Sequence, residues 1–175
     1  MTMRVVVPFT RPGLRRGVTR AIRDAGYKPD LRRLDDDDVE AYWRLLSDLW
    51  EAGDDFVLVE QDIIVREDTL ESFDDCPHPW CAAGYRYLGS ASYMGIGCVR
   101  FRAPLLRRHP EMMDRVATRS YPNHGPKHWC TLDAAMQTEL QGAREHVHGH
   151  GTVGHLSTDG PSHGCVAGYP SYRFG

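Results

Sequence analysis

Apolar residues occur in short blocks that alternate with stretches of helical period. "MRVVVPFT" predicts a first strand centred on Val5 to Val7 and stopped by Pro8. In "PGLRRGVTRAIRDAGY", Leu14, Val18, Ile22 and Ala25 recur at helical spacing, and Gly26 is placed to cap the C-terminus. A weak strand, "PDLRRL", runs into the acidic turn Asp35 to Asp38. "VEAYWRLLSDLWEAG" predicts an amphipathic helix with Val39, Tyr42, Trp43, Leu46, Leu49 and Trp50 on its apolar face, ended by Gly53. "DFVLVEQDIIV" follows as a strand whose apolar run suits the centre of a parallel sheet. "WCAAGYRYL" and "MGIGCVRFR" predict short strands, and "APLLRRHPEMMDRVA" predicts one helix. A further helix enters near Thr131 and closes at Gly142, and "EHVHGHGTVGHLS" is extended. Strands alternating with helices predict an α/β fold with a mostly parallel sheet. Thr158 to Gly175, rich in Gly, Pro, Ser and Tyr, predicts a flexible tail or flap on a single domain spanning 1–175.

Composition narrows the function classes. The 175 residues are 41% hydrophobic and 10% aromatic, enough for a real core. A net charge of -3 provides no basic field for nucleic acid. No signal-like segment and no bilayer-length apolar run are present, so a cytoplasmic location is the expectation. Cysteines 76, 81, 98, 130 and 165 form no C-x-x-C pair, which predicts buried free thiols rather than a zinc knuckle. The basic residues are nearly all Arg, a composition that serves phosphate recognition or simply follows codon usage.

The strand "FVLVEQDIIV" carries two acids, Glu60 and Asp62, inside an apolar run. On a strand, residues i and i+2 share a face, so the carboxylates would project together from its C-terminal end, where α/β sheets bind ligands. Two such groups repel unless a cation lies between them, and hard oxygen donors suit Mg²⁺ or Mn²⁺. Two hydrated acids at a strand end are the plainer alternative.

The order of elements with an acid-x-acid motif closing an apolar strand resembles the nucleotide-sugar glycosyltransferases of the GT-A fold. "HWCTLDAAMQTELQG" followed by "TVGHL" resembles the polypeptide N-acetylgalactosaminyltransferase-like members of that class, and the two stretches together extend the resemblance from Arg4 to Ser157. The resemblance implies a Rossmann-like GT-A domain and a nucleoside diphosphate sugar donor, with UDP the expected nucleotide. It also implies a divalent metal held by Glu60, Asp62 and His155, with Gln61 between the acids at the donor site. Asp133 would be the general base of an inverting enzyme, or would position the acceptor of a retaining one. The loop Pro8, Phe9, Thr10 and Arg11 would cup the base and ribose. His163, Tyr169, Tyr172 and Arg173 would belong to a flap over the donor. Independently of the resemblance, Gly95 and Gly97 allow a close backbone approach, either of a sugar or acceptor or of a tightly packed helix. The acceptor hydroxyl stays open, a modified DNA base included.

Each of these groups has a bland counterpart: an ordinary turn for Pro8 to Arg11, and a helix N-terminal acid for Asp133. Two other functions compete. One is a zinc enzyme or metal-dependent hydrolase using His146, His148 and His150, which would share one face of a strand. For His146 and His150 the expectation is an ordinary, partly exposed strand. The other competitor is a module that binds nucleotide sugars without turnover.

Overall fold

A computed structural model describes residues 3–11, 14, 16–85, 95–121 and 123–156 of the chain. The elements are β1 (Arg4–Phe9), α1 (Arg16–Asp24), β2 (Pro29–Arg33), α2 (Ala41–Ala52), β3 (Phe56–Val59), β4 (Ile63–Ile64) and α3 (Thr69–Asp75). They continue with β5 (Trp80–Gly84), β6 (Cys98–Phe101), α4 (Ala103–Arg108), α5 (Met112–Ala117), α6 (Trp129–Gly142), β7 (His148–Thr152) and β8 (Gly154–His155). The expected flap, with His163, Tyr169, Tyr172 and Arg173, lies outside the described residues.

The described strands form a six-stranded sheet in the order β2-β1-β3-β6-β5-β7 and a two-stranded ribbon β4-β8. β1 pairs in parallel with β2 and β3, and β5 in parallel with β7. β6 is antiparallel to both β3 and β5, so every strand of the large sheet but β6 runs the same way. This is the α/β architecture with a mostly parallel sheet expected from the sequence.

Strand alternation sorts the core into two layers. Val6, Leu58, Ala82, Val99 and Phe101 face a layer completed by Leu46 and Trp50 of α2, Leu105 of α4, Met113 of α5 and Met136 of α6. Val5, Val7, Val57, Val59, Cys81 and Ala83 face Val18 and Ile22 of α1 and Leu70 and Phe73 of α3. A strand buried on both sides has no polar face, which is why β3 reads as a continuous apolar run.

Several boundaries differ from the sequence expectation. Pro8 does not stop β1. It pairs with Arg32 inside the strand, and its missing N–H costs nothing there. Phe9 accepts a bond from Leu34 N–H on the β2 side, so Pro8 points its nitrogen toward β3, whose pairing ends at Val6. Val39 lies before α2 and is exposed, while Gly53 closes the helix at φ 71° as expected. The helix expected over 103–117 is two helices, since Pro110 has no N–H to continue the first. The largest change concerns the acidic strand. β3 ends at Val59, residues 60–62 turn, and Ile63 and Ile64 join the separate ribbon.

Candidate functional site

The turn that ends β3 carries the expected acids. Glu60 N–H donates to the Gly97 carbonyl at 2.8 Å, which extends the β3–β6 pairing by one residue, and Ile63 N–H then closes the turn on the Glu60 carbonyl at 3.0 Å. Glu60 and Asp62 therefore occupy a tight turn rather than one face of a strand. The same-face argument for their pairing does not hold, although they remain neighbours. The ribbon brings the second motif alongside: His155 pairs with Ile63, and Leu156 N–H donates to the Asp62 carbonyl at 2.8 Å. His155 Nε2 lies 3.5 Å from Asp62 Oδ2. The His155 ring stacks on Tyr85 at a centroid distance of 5.4 Å.

Asp133 sits in the second turn of α6, because the helix begins at Trp129 rather than near Thr131. The dipole explanation for this acid consequently fails, as the macrodipole acts on the first turn. Asp133 Oδ1 instead accepts the Ile96 N–H at 2.9 Å and the Gln137 side-chain amide at 3.3 Å. These bonds tie α6 to the segment that leads into β6 and bring a third carboxylate toward Glu60.

The electrostatics record that convergence. The Glu60 carboxyl is pushed up from 4.5 to about 8, first by burial and then by the charges of Asp62 and Asp133. Tyr42 Oη opposes this by donating to Glu60 Oε1 at 3.0 Å. The phenol itself is held well above its usual range, by burial first and by Glu60 next, so it stays a donor. Gly97 makes the arrangement possible: a Cβ there would meet Tyr85 Oη at 3.0 Å and Glu60 Oε2 at 3.1 Å. Sequence periodicity assigned Tyr42 to an apolar helix face, and its hydroxyl was the only sign of a polar task. Gly95 and Gly97 are both buried. Glu60, whose proton affinity is raised by burial and by two neighbouring acids, and Asp62, with an imidazole beside it, form a donor set suited to a hard divalent cation.

The residues expected to cup a nucleotide divide by position. Pro8 and Phe9 belong to β1, and Pro8 is buried, so neither lies in the loop that follows. Thr10 and Arg11 do lie in that loop. Gln61 Oε1 accepts the Thr10 N–H at 2.8 Å and faces its hydroxyl at 3.4 Å, fastening the loop to the acidic turn. Arg11 is exposed, and its N–H donates to Asp36 Oδ1 at 2.9 Å.

The three alternating histidines do not act as one group. His146 is exposed and precedes β7, while His148 and His150 lie on β7 against Cys76. Cys76, Cys81 and Cys98 are buried free thiols, as expected, whereas Cys130 is engaged in a disulfide. No helix among the described residues is long and apolar enough to cross a membrane.

No protein-family model matches the chain, and no curated protein sequence matches it. Solved structures do. A glycosyltransferase involved in the glycosylation of the major capsid of PBCV-1 superposes with a TM-score of 0.53 at 10% identity, covering 89% of this chain and 96% of that one. A197 from STIV gives 0.51 at 8% identity over 86% and 83% of the two chains. A putative glucose-1-phosphate thymidylyltransferase from Bacillus anthracis gives 0.50 at 8% identity over 86% and 87%. At these identities the likeness shows the fold alone: the chain shares the GT-A-like α/β architecture of these structures, with its acidic cluster at the C-terminal end of β3.

Proposed function

We propose that the protein is a divalent-metal-dependent glycosyltransferase that moves a sugar from a nucleoside diphosphate sugar, with UDP as the nucleotide, to an acceptor hydroxyl. The observation that carries this reading is the convergence of Glu60, Asp62 and Asp133 at the end of β3, with Glu60 pushed up to about 8 by burial and its neighbours. Such a cluster is costly by itself and favourable around a cation. Asp62 and His155 would hold Mn²⁺ or Mg²⁺ with help from Glu60, and the bound ion would neutralise charge building on the leaving diphosphate. Gln61 positions the Thr10 loop beside it for the nucleotide. Asp133, anchored by Ile96 N–H, would take the proton from the acceptor hydroxyl as its oxygen attacks the anomeric carbon and the bond to the diphosphate breaks. The likeness between "TVGHL" and the polypeptide N-acetylgalactosaminyltransferase-like enzymes supports His155 as a ligand.

Calorimetry with UDP in Mn²⁺ and in EDTA tests the donor site, and UDP release from UDP-sugars tests turnover. Tight binding only with Mn²⁺, together with UDP release, is the expected result. Equal affinity in both buffers would refute the metal role. Mn²⁺-coupled binding without release from any UDP-sugar would indicate a binding module, and release of pyrophosphate from a nucleoside triphosphate and a sugar phosphate would indicate nucleotidyl transfer.

A further inference from the structure

A second cluster of side chains with metal-ligand chemistry lies at the edge strand β7. Cys76 follows α3 as its C-terminal cap, and the edge strand β7 presents His148 and His150 from one face. Pairing sets His148 beside Cys81 and His150 beside Ala83. Strand β7 is three strand spacings from β3, whose end carries the acids, roughly 14 Å. The two clusters are thus separate sites.

We propose that Cys76, His148 and His150 form a zinc site that clips the edge strand β7 to the end of α3. Cys76 Sγ lies 3.3 Å from His148 Nδ1, and His148 Nδ1 lies 3.1 Å from His150 Nε2. The three donor atoms all fall within 4.8 Å of one another. Around tetrahedral zinc, ordinary bond lengths place two nitrogens roughly 3.3 Å apart and a sulfur and a nitrogen roughly 3.6 Å apart. The two short spacings, 3.3 Å and 3.1 Å, are close to those values.

Hydrogen bonding alone does not satisfy this geometry. An imidazole nitrogen has one in-plane position, filled by either a proton or a lone pair. His148 Nδ1 faces both a thiol and a second imidazole nitrogen, so it can serve only one of them. A cation at the centre accepts lone pairs from all three.

The surroundings hold the ligands in place. The buried Arg100 donates through Nη2 to the Cys76 carbonyl at 2.6 Å and the His78 carbonyl at 3.0 Å, and through Nη1 to the Phe73 carbonyl. The backbone carrying Cys76 is therefore anchored to β6. The His78 ring stacks on His148 at 4.1 Å, and Phe73 meets His150 edge-on at 5.3 Å. A thiolate and two imidazoles leave a fourth position for water.

The test is Co²⁺ titration of the metal-stripped full-length chain, read by visible absorption, with zinc content of the untreated protein measured in parallel. One equivalent of zinc, and a thiolate-to-cobalt charge-transfer band saturating at one equivalent, are expected. C76S should abolish the band, H150N should weaken cobalt binding at least tenfold, and H146N should change nothing. Absence of the band in folded wild-type protein would overturn the proposal, as would its persistence in C76S. Mn²⁺-dependent UDP binding should survive in H150N, so this site and the acidic site fail or hold independently.

Discussion

Replacing Glu60 with Gln isolates the electrostatic strain of the acidic cluster. The native carboxyl titrates near 8 against an ordinary 4.5, a rise of about 3.5 pH units. Because the folded state holds the proton more tightly than the unfolded chain, stability is greatest below the unfolded value and falls as pH climbs from there to the folded value. At ~1.4 kcal/mol per unit, the full loss is about 5 kcal/mol, most of it between about pH 5 and about pH 8. That is a large share of the stability of a typical domain. In E60Q the amide is neutral throughout, and its oxygen still accepts from Tyr42. Urea unfolding in EDTA across this range, with wild type and E60Q compared at each pH, removes the contributions of every other titrating group. The variant should be similar to wild type at the acid end and more stable at the alkaline end. Mn²⁺ should return stability to the wild type at alkaline pH, because the ionised carboxylate is the form that binds it. Parallel pH profiles for the two proteins would show that Glu60 does not carry this load, and the convergence argument would fall with it.

Three other substitutions probe neighbouring groups. D133N should lower transfer by ~10²-fold or more while leaving Mn²⁺-dependent UDP affinity unchanged, as single-turnover kinetics and calorimetry would show, because a base acts on the acceptor. H155A should weaken Mn²⁺-dependent UDP binding by about tenfold, or ~1.4 kcal/mol, with circular dichroism unchanged. G97A should cost about 1–3 kcal/mol in chemical denaturation, since its Cβ would press on Tyr85 Oη and Glu60 Oε2.

The sequence by itself determined the fold class and most of the elements. β3 is legible because a strand covered on both faces must be apolar at every position. Gly26 and Gly53 mark helix ends because their positive φ, 85° and 71°, suits a residue without Cβ. The acidic pair was visible because charge inside an apolar run is expensive and calls for a partner. Periodicity, however, reports which face a residue takes and not where a strand stops. Val65 and Ile63 are as apolar as Val59, so nothing local showed that the chain turns at Glu60 and leaves the sheet. Only the tertiary structure decided that His155 reaches Asp62 through the β4–β8 ribbon, that Asp133 is drawn in by Ile96 N–H, and that Tyr42 supplies a proton donor to Glu60. The same holds for the second cluster, where Cys76 replaces His146 beside His148 and His150 although it lies 72 residues before His148. These contacts join residues distant along the chain, and their geometry is set by how helices and strands pack, which no local pattern of hydrophobic and polar residues encodes.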